Sequence, residues 1–587
     1  MIRLRYLIFA GSLACTAPAV AMDAKVATPA AHTLASVLTP KQRADYADVF
    51  AAIRQQDWSG AAARLDAMEI GPLHAAARAE LYLAKGSPAA TQEQLLALLA
   101  AAPELPDAEQ LGRLARTRGA VDLPALPAAQ KLVWQGSQPR RTRPKSASAD
   151  PLAAKLDALI QPLIKDNRPA EAELILQEHQ AEIGAAALPE FQQRIAWSYY
   201  IVGDDRSARR LADHARQDGG DWGIQAAWVS GLASWRLRDC AAASDAFATV
   251  GGRSGDVEMF AAGNYWAARA DMMCQRPERV QQRLRTAARL KETFYGILAS
   301  RALGISTPGS NGLHDYRDSE WRPIAVKPNV RAAIALDEIG RSDLADAYIR
   351  HQARIGDAAD HAALLHLASD LNLAGTQFWL AHNAPRGASV NFAARYPMPQ
   401  WQPVNGWRVD PNLAFAHALQ ESNFRAEAVS PAGAVGLMQV LPGTAGGIAR
   451  KRGQAFNAGE LTRPATNMEF GQSYMEYLRD YPATGGLLPK VIAAYNCGPA
   501  PVAEWNARAI DKGDPLLYIE SLPYWETRGY VPIVLRNYWI YEQQAGKEDG
   551  SRGALVQGMW PRFPGLPGAK AVRLNPPAGR SIALGTK

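Results

Sequence analysis

The sequence predicts a mainly α-helical protein whose N-terminal part is a solenoid of helical hairpins, and three observations carry that reading. Leu38 to Ala384 is rich in Ala, Leu, Arg and Glu with apolar residues at helical spacing, and strand-like runs are scarce. Short polar breaks recur at Gln56-Asp57-Trp58, Asp166-Asn167-Arg168-Pro169, Gly203-Asp204-Asp205, Arg238-Asp239, Gln275-Arg276-Pro277 and Gly340-Arg341-Ser342-Asp343. Three of them, Gly203, Arg238 and Gln275, lie about 35 residues apart, the period of stacked hairpins that bury their apolar faces only against one another. The expected product is a curved superhelix, with Trp197, Trp228, Trp235 and Trp266 packing between its layers.

At 587 residues the chain is too long for one core. A hydrophobic fraction of 48% and a mean hydropathy of −0.21 fit a globular protein. The net charge of +7 suits an acidic polymer or a membrane surface as neighbour, and simple solubility explains it equally well. Nucleic acid is not expected as a partner: no Lys/Arg block is long, and Arg140-Arg141-Thr142-Arg143 falls in a Pro/Ser-rich linker.

Taken in order, the chain opens with the basic segment Met1-Ile2-Arg3-Leu4-Arg5, an apolar run from Tyr6 to Val20, and small residues around Ala21. Residues 1–21 therefore read as an export signal cleaved near Ala21, which makes the mature protein periplasmic. Cys15 partly fits a lipoprotein box, but Ser12 stands where leucine is expected, which argues against lipid anchoring. Of the remaining cysteines, Cys240 and Cys274 lie one repeat apart; a disulfide and two buried thiols both fit. No Cys/His spacing resembles a metal site.

Residues 36–395 form the superhelical part, with loop-rich interruptions at 119–150, read as a flexible or extended connection, and at 304–330. Texture changes near Pro397-Met398-Pro399: residues 396–550 carry more Gly, Tyr and Asn and several compact motifs. Residues 551–587 are a Gly/Pro-rich tail with no order predicted.

In that second part Asp410-Pro411 is a helix start, Asp as N-cap and Pro in the first turn, so Glu421 falls at the C-terminal end of a helix. The helix dipole and apolar surroundings both disfavour its charge and raise its pKa, the condition a general acid needs. An exposed helix-end glutamate is the alternative from these residues alone. Downstream, Ser430-Pro431-Ala432-Gly433-Ala434 is a turn and Gly436-Leu437-Met438-Gln439 a short extended piece. Thr466-Asn467-Met468-Glu469 has the capping-box pattern of a helix start, and Ala493-Ala494-Tyr495-Asn496-Cys497-Gly498-Pro499 ends a helix with a Gly-Pro stop. Leu522 to Val531 then precedes an aromatic helix.

E-S-N-F at Glu421, S-P-A-G-A-V-G-L-M-Q-V-L-P-G-T-A from Ser430, A-Y-N-C-G-P from Ala494 and E-T-R-G-Y-V from Glu526 stand in order over about 110 residues. Together they resemble the soluble lytic murein transglycosylases. The alanine-rich array resembles that family's superhelical N-terminal part, with scattered phrases such as Phe294-Tyr295-Gly296. The resemblance implies a lysozyme-like α+β catalytic domain, peptidoglycan glycan strands as substrate and no cofactor. Glu421 matches the catalytic acid/base and Tyr495 a tyrosine beside it. Ser430, Met438, Gln439, Asn496 and Glu526 match residues that line or bind in the glycan groove. Cys497 departs from the family's usual alanine, a change expected to be absorbed by packing.

The family cleaves the β-1,4 bond between N-acetylmuramic acid and N-acetylglucosamine and closes a 1,6-anhydro ring without water. The sugar supplies its own nucleophile, so one carboxyl serves where ordinary glycosidases use two. Two other readings stay open: a lysozyme-like hydrolase, which needs a second carboxylate such as Glu526 or Asp480 opposite Glu421, and a helical-repeat scaffold that only grips glycan. The array is also a candidate surface for other cell-envelope proteins. From the residues alone, Met438 fits core and groove equally, and Glu526 could instead pair with Arg528.

Overall fold

The hairpin breaks are where the backbone turns left-handed. A computed structural model describes residues 34–147, 150–217, 220–305, 318–547 and 550–574. Each break is one residue at positive φ followed by the cap of the next helix: Gln56 (62°), Asn167 (58°), Gly203 (90°), Arg238 (60°), Gln275 (58°) and Gly340 (73°). At three of these turns the next residue, Asp57, Asp204 or Asp239, caps the following helix by accepting a backbone N–H. The array is thus helix, one left-handed residue, cap, helix. It runs from the helix Pro40–Arg54 to the helix Ala374–His382.

Aromatic rings fill the layers. Trp266 is fully buried and meets Trp228 and Trp235 edge-on, at 6.3 and 5.3 Å between centroids. Trp197 is only half-buried and faces a cleft described below. Cys240 and Cys274 form a disulfide, which joins the start of the helix Cys240–Arg253 to the end of the helix Val257–Met273. The first hairpins pack back on residues 328–355: Arg43, Ser36 and the backbone N–H of Val37 converge on Glu338, and Arg341 pairs with Glu80.

Two of the expected interruptions differ. Residues 121–147 are extended, as one reading had it, but they are a pinned strap rather than a flexible link. Val133–Trp134 pairs antiparallel with Asn383–Ala384, Arg395 holds the Gln135 carbonyl, and Thr142 binds Asp256. In the second, the helix Asp318–Ala325 begins inside the stretch expected to be loop, and Pro328 then opens another. The leader, with Cys15, and residues 575–587 lie outside the described residues. Residues 550–574 have order that the composition concealed: a helix Gly550–Val556 leads to a two-stranded hairpin, Trp560–Pro561 with Ala571–Val572, and Trp560 is fully buried.

The C-terminal part is helical around three loop bridges, Val429–Val435, Val435–Val440 and Leu487–Arg562. It rests on the array through buried polar contacts. Arg141 of the strap grips Glu520 with two hydrogen bonds of 2.6 and 2.7 Å, and Tyr295 donates a third at 2.6 Å. Tyr200 bonds Ser521, Arg269 pairs with Asp514, and Phe294 stacks on Trp539.

Glu520 is fully buried, so removing its partner leaves a charge with no water. Arg141→Met should lower stability in urea unfolding by about 3–5 kcal/mol, whereas Arg140→Met, at an exposed position, should change it by less than about 0.5 kcal/mol. Equal effects from the two would remove the pair from the account of how the strap is held.

Candidate active site

The helix Pro411–Ser422 carries Glu421. Asp410 caps it by accepting from the Asn412 N–H at 2.9 Å, and the helix is buried on nearly every side, His417 included. It ends because Asn423 and Phe424 are both left-handed, with φ of 52° and 60°. Each letter of E-S-N-F therefore has a local cause. Ser422 donates to the Leu437 carbonyl at 2.8 Å, tying helix to loop; Asn423 turns the chain; Phe424 is buried against Trp401 and Phe415.

The loop from Ala428 to Val440 is built on Asn467. The Asn467 side chain accepts from the Met438 N–H and donates to the carbonyls of Val435 and Leu461, each at 2.8 Å. Gly436 is required beside it: its φ is +80°, and a Cβ there would lie 2.2 Å from Asn467 Nδ2 and 2.4 Å from the Leu461 oxygen. The expected capping box at Thr466 is not formed. That helix starts at Pro464 with Arg463 as its N-cap, which frees Asn467 for the loop. Glu469 instead binds Arg408 and Arg452, which hold its carboxyl down at about 2 despite burial.

Ser430 is half-buried, and its hydroxyl closes the turn by accepting from the Ala434 N–H at 3.0 Å. Gln439 sits at φ +46° with its amide donating to the carbonyls of Gly436 and Ala428. Met438 does not line a groove through its side chain: it is fully buried, with its thioether packed where a Cβ on Gly471 would be. What Met438 offers is its carbonyl, which accepts from the Tyr495 hydroxyl at 2.8 Å.

Among the described residues Glu421 meets neither Tyr495 by hydrogen bond nor any cation. Its Oε1 accepts from Tyr530 Oη at 2.5 Å. Tyr530 in turn lies 2.8 Å from His417 Nδ1, so with its proton directed at Glu421 it accepts from the ring N–H. Burial pushes His417 down to about 3, which keeps it neutral. Arg425, the neighbouring cation in sequence, turns away and donates to the Ser422 carbonyl. Desolvation therefore dominates and lifts the Glu421 carboxyl to about 7; the Tyr530 hydrogen bond opposes this and the Glu526 charge adds to it. Tyr495 packs its ring on His417, 4.4 Å between centroids, and its own ionisation is pushed well above the usual phenol value by burial and by Glu421.

Sequence reasoning missed Tyr530 and His417. Tyr530 stands inside E-T-R-G-Y-V, one helical turn after Glu526, and His417 stands one turn before Glu421; that i, i+4 spacing was the available signal.

Asn496 and Glu526 both line a cleft of about 1050 Å³. The Asn496 amide donates to Glu526 at 3.2 Å and accepts from Thr527 at 2.6 Å. Glu526 is exposed and makes no ion pair with Arg528, which turns inward. Asp480 is paired with Arg479 at the surface. Cys497 donates to the Ala493 carbonyl, and burial pushes its thiol up to about 11, so it packs and stays protonated. Among the described residues no cluster of His, Cys, Asp or Glu is arranged to hold a metal ion.

A helical array followed by a domain with one desolvated carboxyl is an arrangement for which the comparisons find similar proteins among the soluble lytic transglycosylases. Residues 402–517 match the Transglycosylase SLT domain. The soluble lytic murein transglycosylase of Salmonella typhimurium is 37% identical over 152 residues, 25% of this chain and 23% of that protein. That of Escherichia coli K12 is 38% identical over 135 residues, 22% of this chain and 20% of its own length. The matches thus span about a fifth to a quarter of these relatives. The fold likeness is broader: the crystal structure of the 70 kDa soluble lytic transglycosylase of E. coli aligns over 89% of this chain and 99% of its own, with TM-score 0.51 and 17% identity.

The electrostatics of Glu421 can be tested through stability alone. Its folded pKa of about 7 exceeds the ordinary 4.5, so the folded state binds the extra proton between those values and stability falls as pH rises through that window. Glu421→Gln should be more stable than wild type above pH 7, by up to about 3 kcal/mol, with the gain fading towards pH 4. Denaturant unfolding at pH 4, 6 and 8 checks this; a gain that does not grow with pH would mean Glu421 is well solvated.

Proposed function

We propose that the chain is a periplasmic lytic transglycosylase that cleaves the β-1,4 MurNAc–GlcNAc bond of peptidoglycan, with Glu421 acting first as acid and then as base. The observation that carries this is a single carboxyl lifted to about 7, hydrogen-bonded by a neutral tyrosine and unpaired with any cation. Residues 36–395 form the superhelical domain and 396–550 the catalytic domain, with the hairpin of 560–572 folded against it.

Glu421 gives its proton to the glycosidic oxygen as the C1–O bond breaks. The resulting carboxylate takes the proton of the C6 hydroxyl, and O6 closes on C1 to give the 1,6-anhydro sugar. The proton count on Glu421 is restored and no water is consumed. A pKa near neutrality suits a group that must hold the proton and then accept one back. Tyr530 orients the carboxyl and supports its ionised form. Tyr495 fixes the Gly436–Gln439 loop through the Met438 carbonyl and presents its ring beside the site. Ser430, Gln439, Asn496 and Glu526 are assigned to the glycan groove.

The names of the relatives and the domain match support the reaction class. The solved Pseudomonas aeruginosa lytic transglycosylase, TM-score 0.51 at 19% identity over 86% of this chain and 87% of its own, is an inactive glutamate-to-glutamine mutant. The Cys240–Cys274 disulfide suits an exported protein. A hydrolase would need a second carboxylate placed to hold water. Glu526 is the one whose charge acts on Glu421, and it is held by Asn496.

Mass spectrometry of products from purified sacculi decides between the reactions. Wild type should release anhydro-ended muropeptides and Glu421→Gln none; reducing ends carrying an added water would identify a hydrolase. In the wild type kcat/KM should fall as pH rises past about 7, where Glu421 loses the proton it must donate. Tyr530→Phe removes a bond that favours the ionised carboxyl, so its falling limb should move to higher pH. A limb that stays in place would detach Tyr530 from Glu421.

A further inference from the structure

One polar side chain stands inside the apolar run Leu413-Ala414-Phe415-Ala416-His417-Ala418-Leu419, and an acid/base at Glu421 does not by itself require it. His417 is 1% exposed. Burying an imidazole is costly unless it finds a partner, and His417 Nδ1 finds Tyr530 Oη at 2.8 Å. Its ring lies against that of Tyr495, 4.4 Å between centroids. Four residues separate His417 from Glu421, so both project from one face of the helix Pro411–Ser422. Between them they clasp one hydroxyl of the helix Trp525–Gln544, since Tyr530 Oη also lies 2.5 Å from Glu421 Oε1.

A tyrosine hydroxyl has one proton and two lone pairs, so this chain of three groups can run in only two directions. In the first, His417 Nδ1–H donates to Tyr530 and Tyr530 donates to Oε1. In the second, a protonated Oε1 donates to Tyr530 and Tyr530 donates to a bare Nδ1. The second order needs the imidazole proton on Nε2, and it breaks whenever Glu421 ionises. The first serves both states of Glu421: Oε1 accepts throughout, and the proton that comes and goes sits on Oε2. Reversing the order in each turnover would require His417 to move its own proton between its ring nitrogens. Burial holds the ring neutral, and among the described residues no hydrogen-bond partner meets Nε2. The other groups that face the pair supply no proton either. Tyr495 and Tyr530 are pushed well above the usual phenol value and stay protonated, and Glu526 acts on Glu421 through its charge. Glu421 is half-buried, so its carboxyl keeps an open side, and among the described residues no hydrogen bond reaches Oε2.

We propose that His417 is a positioning residue for the reaction: by donating from Nδ1 to Tyr530 it aims the tyrosine proton at Oε1 in every state, and so assigns proton transfer to Oε2 of Glu421. The inference rests on the glycan-cleaving reading. Oε2–H gives its proton to the glycosidic oxygen as the C1–O bond breaks, while Tyr530 holds the new carboxylate at Oε1. Oε2 then takes the proton of the C6 hydroxyl as O6 bonds to C1. The carboxyl ends as it began, and neither Tyr530 nor His417 changes its proton count. A carboxyl free to pivot could present either oxygen; this one is gripped by one of them, which leaves the other at a fixed place beside the bond to be cut.

Two measurements test it on the full chain. NMR of protein carrying nitrogen-labelled histidine reads the tautomer directly and needs no substrate, with the signal lost in His417→Asn identifying the residue. A proton on Nδ1 is expected at both pH 5 and pH 8, either side of the Glu421 titration; a proton on Nε2 at either pH would overturn the proposal. In turnover on sacculi, His417→Phe removes the donor and lets the Tyr530 hydroxyl turn. Its kcat should fall about ten-fold with KM little changed, and the falling limb of its kcat/KM profile should move to higher pH. His417→Asn sets an amide N–H near the place of Nδ1 and should restore both. Equal losses in the two variants, or a limb unmoved by His417→Phe, would reduce His417 to a packing residue. A proton on Nδ1 at both pH values, without anhydro products from wild type, would overturn the glycan-cleaving reading and leave the order of the hydrogen bonds standing.

Discussion

The Arg141–Glu520 pair is the contact on which the arrangement of the molecule turns. Glu520 closes the short helix Pro515–Glu520, and four residues later Tyr524 opens the helix that carries Glu526, Arg528 and Tyr530. Onto that one carboxylate converge the strap through Arg141 and the array through Tyr295. A buried ion pair contributes little net stability over an apolar substitute, because both charges leave water. Its effect here is directional: three distant stretches can be satisfied only in one mutual placement. That placement sets where Tyr530 meets Glu421.

The two carboxyls Glu421 and Glu469 show how the same domain separates two behaviours. Both lose water on folding. Glu469 has Arg408 and Arg452 against it and titrates at about 2, a structural anion that binds Arg408 and the Asn405 N–H to its helix. Glu421 has no cation beside it, only a tyrosine hydroxyl and behind that an imidazole kept uncharged by burial, and with the Glu526 charge adding to its own burial it titrates at about 7. The difference comes chiefly from the two arginines that Glu469 has and Glu421 lacks, with burial the largest cause at Glu421. That is why the sequence around Glu421 is apolar and small.

Periodicity made the array legible, since one left-handed residue per break, followed by a cap, leaves a polar mark every hairpin. The Glu421 helix was equally legible from Asp410 and Pro411, whose roles are local. Contacts between distant segments were not. Arg140 to Arg143 looked like a basic run in a linker because its partners, Glu520, Asp256 and Trp525, lie more than a hundred residues away. The capping-box pattern at Thr466 misled for a related reason: Asn467 gains three hydrogen bonds by holding the Met438 loop, and Glu469 gains two arginines, so tertiary partners outbid a local cap. Tyr530 was passed over because its partner, Glu421, is 109 residues away. The phrase Phe294-Tyr295-Gly296 was noted without a cause. Phe294 stacks on Trp539, Tyr295 bonds Glu520, and a Cβ on Gly296 would lie 2.0 Å from the Leu290 carbonyl.

These contacts also tie the array to the surroundings of Glu421. Trp197 and Trp228 belong to its hairpins, yet they wall the cleft that opens at Asn496 and Glu526. Trp197 holds Arg528 at 3.8 Å, and Arg528 sits two residues from both Glu526 and Tyr530 on one helix. A catalytic domain without the array would therefore lose one wall of the cleft. It would also lose the aromatic face that keeps Arg528 in place, and the Tyr295 hydroxyl on Glu520. With Arg528 released to water, the first turn of that helix would have no fixed position, and the hydrogen bond that tunes Glu421 leaves from its second turn. The superhelix in this sense supplies the far wall of the cleft at Asn496 and Glu526.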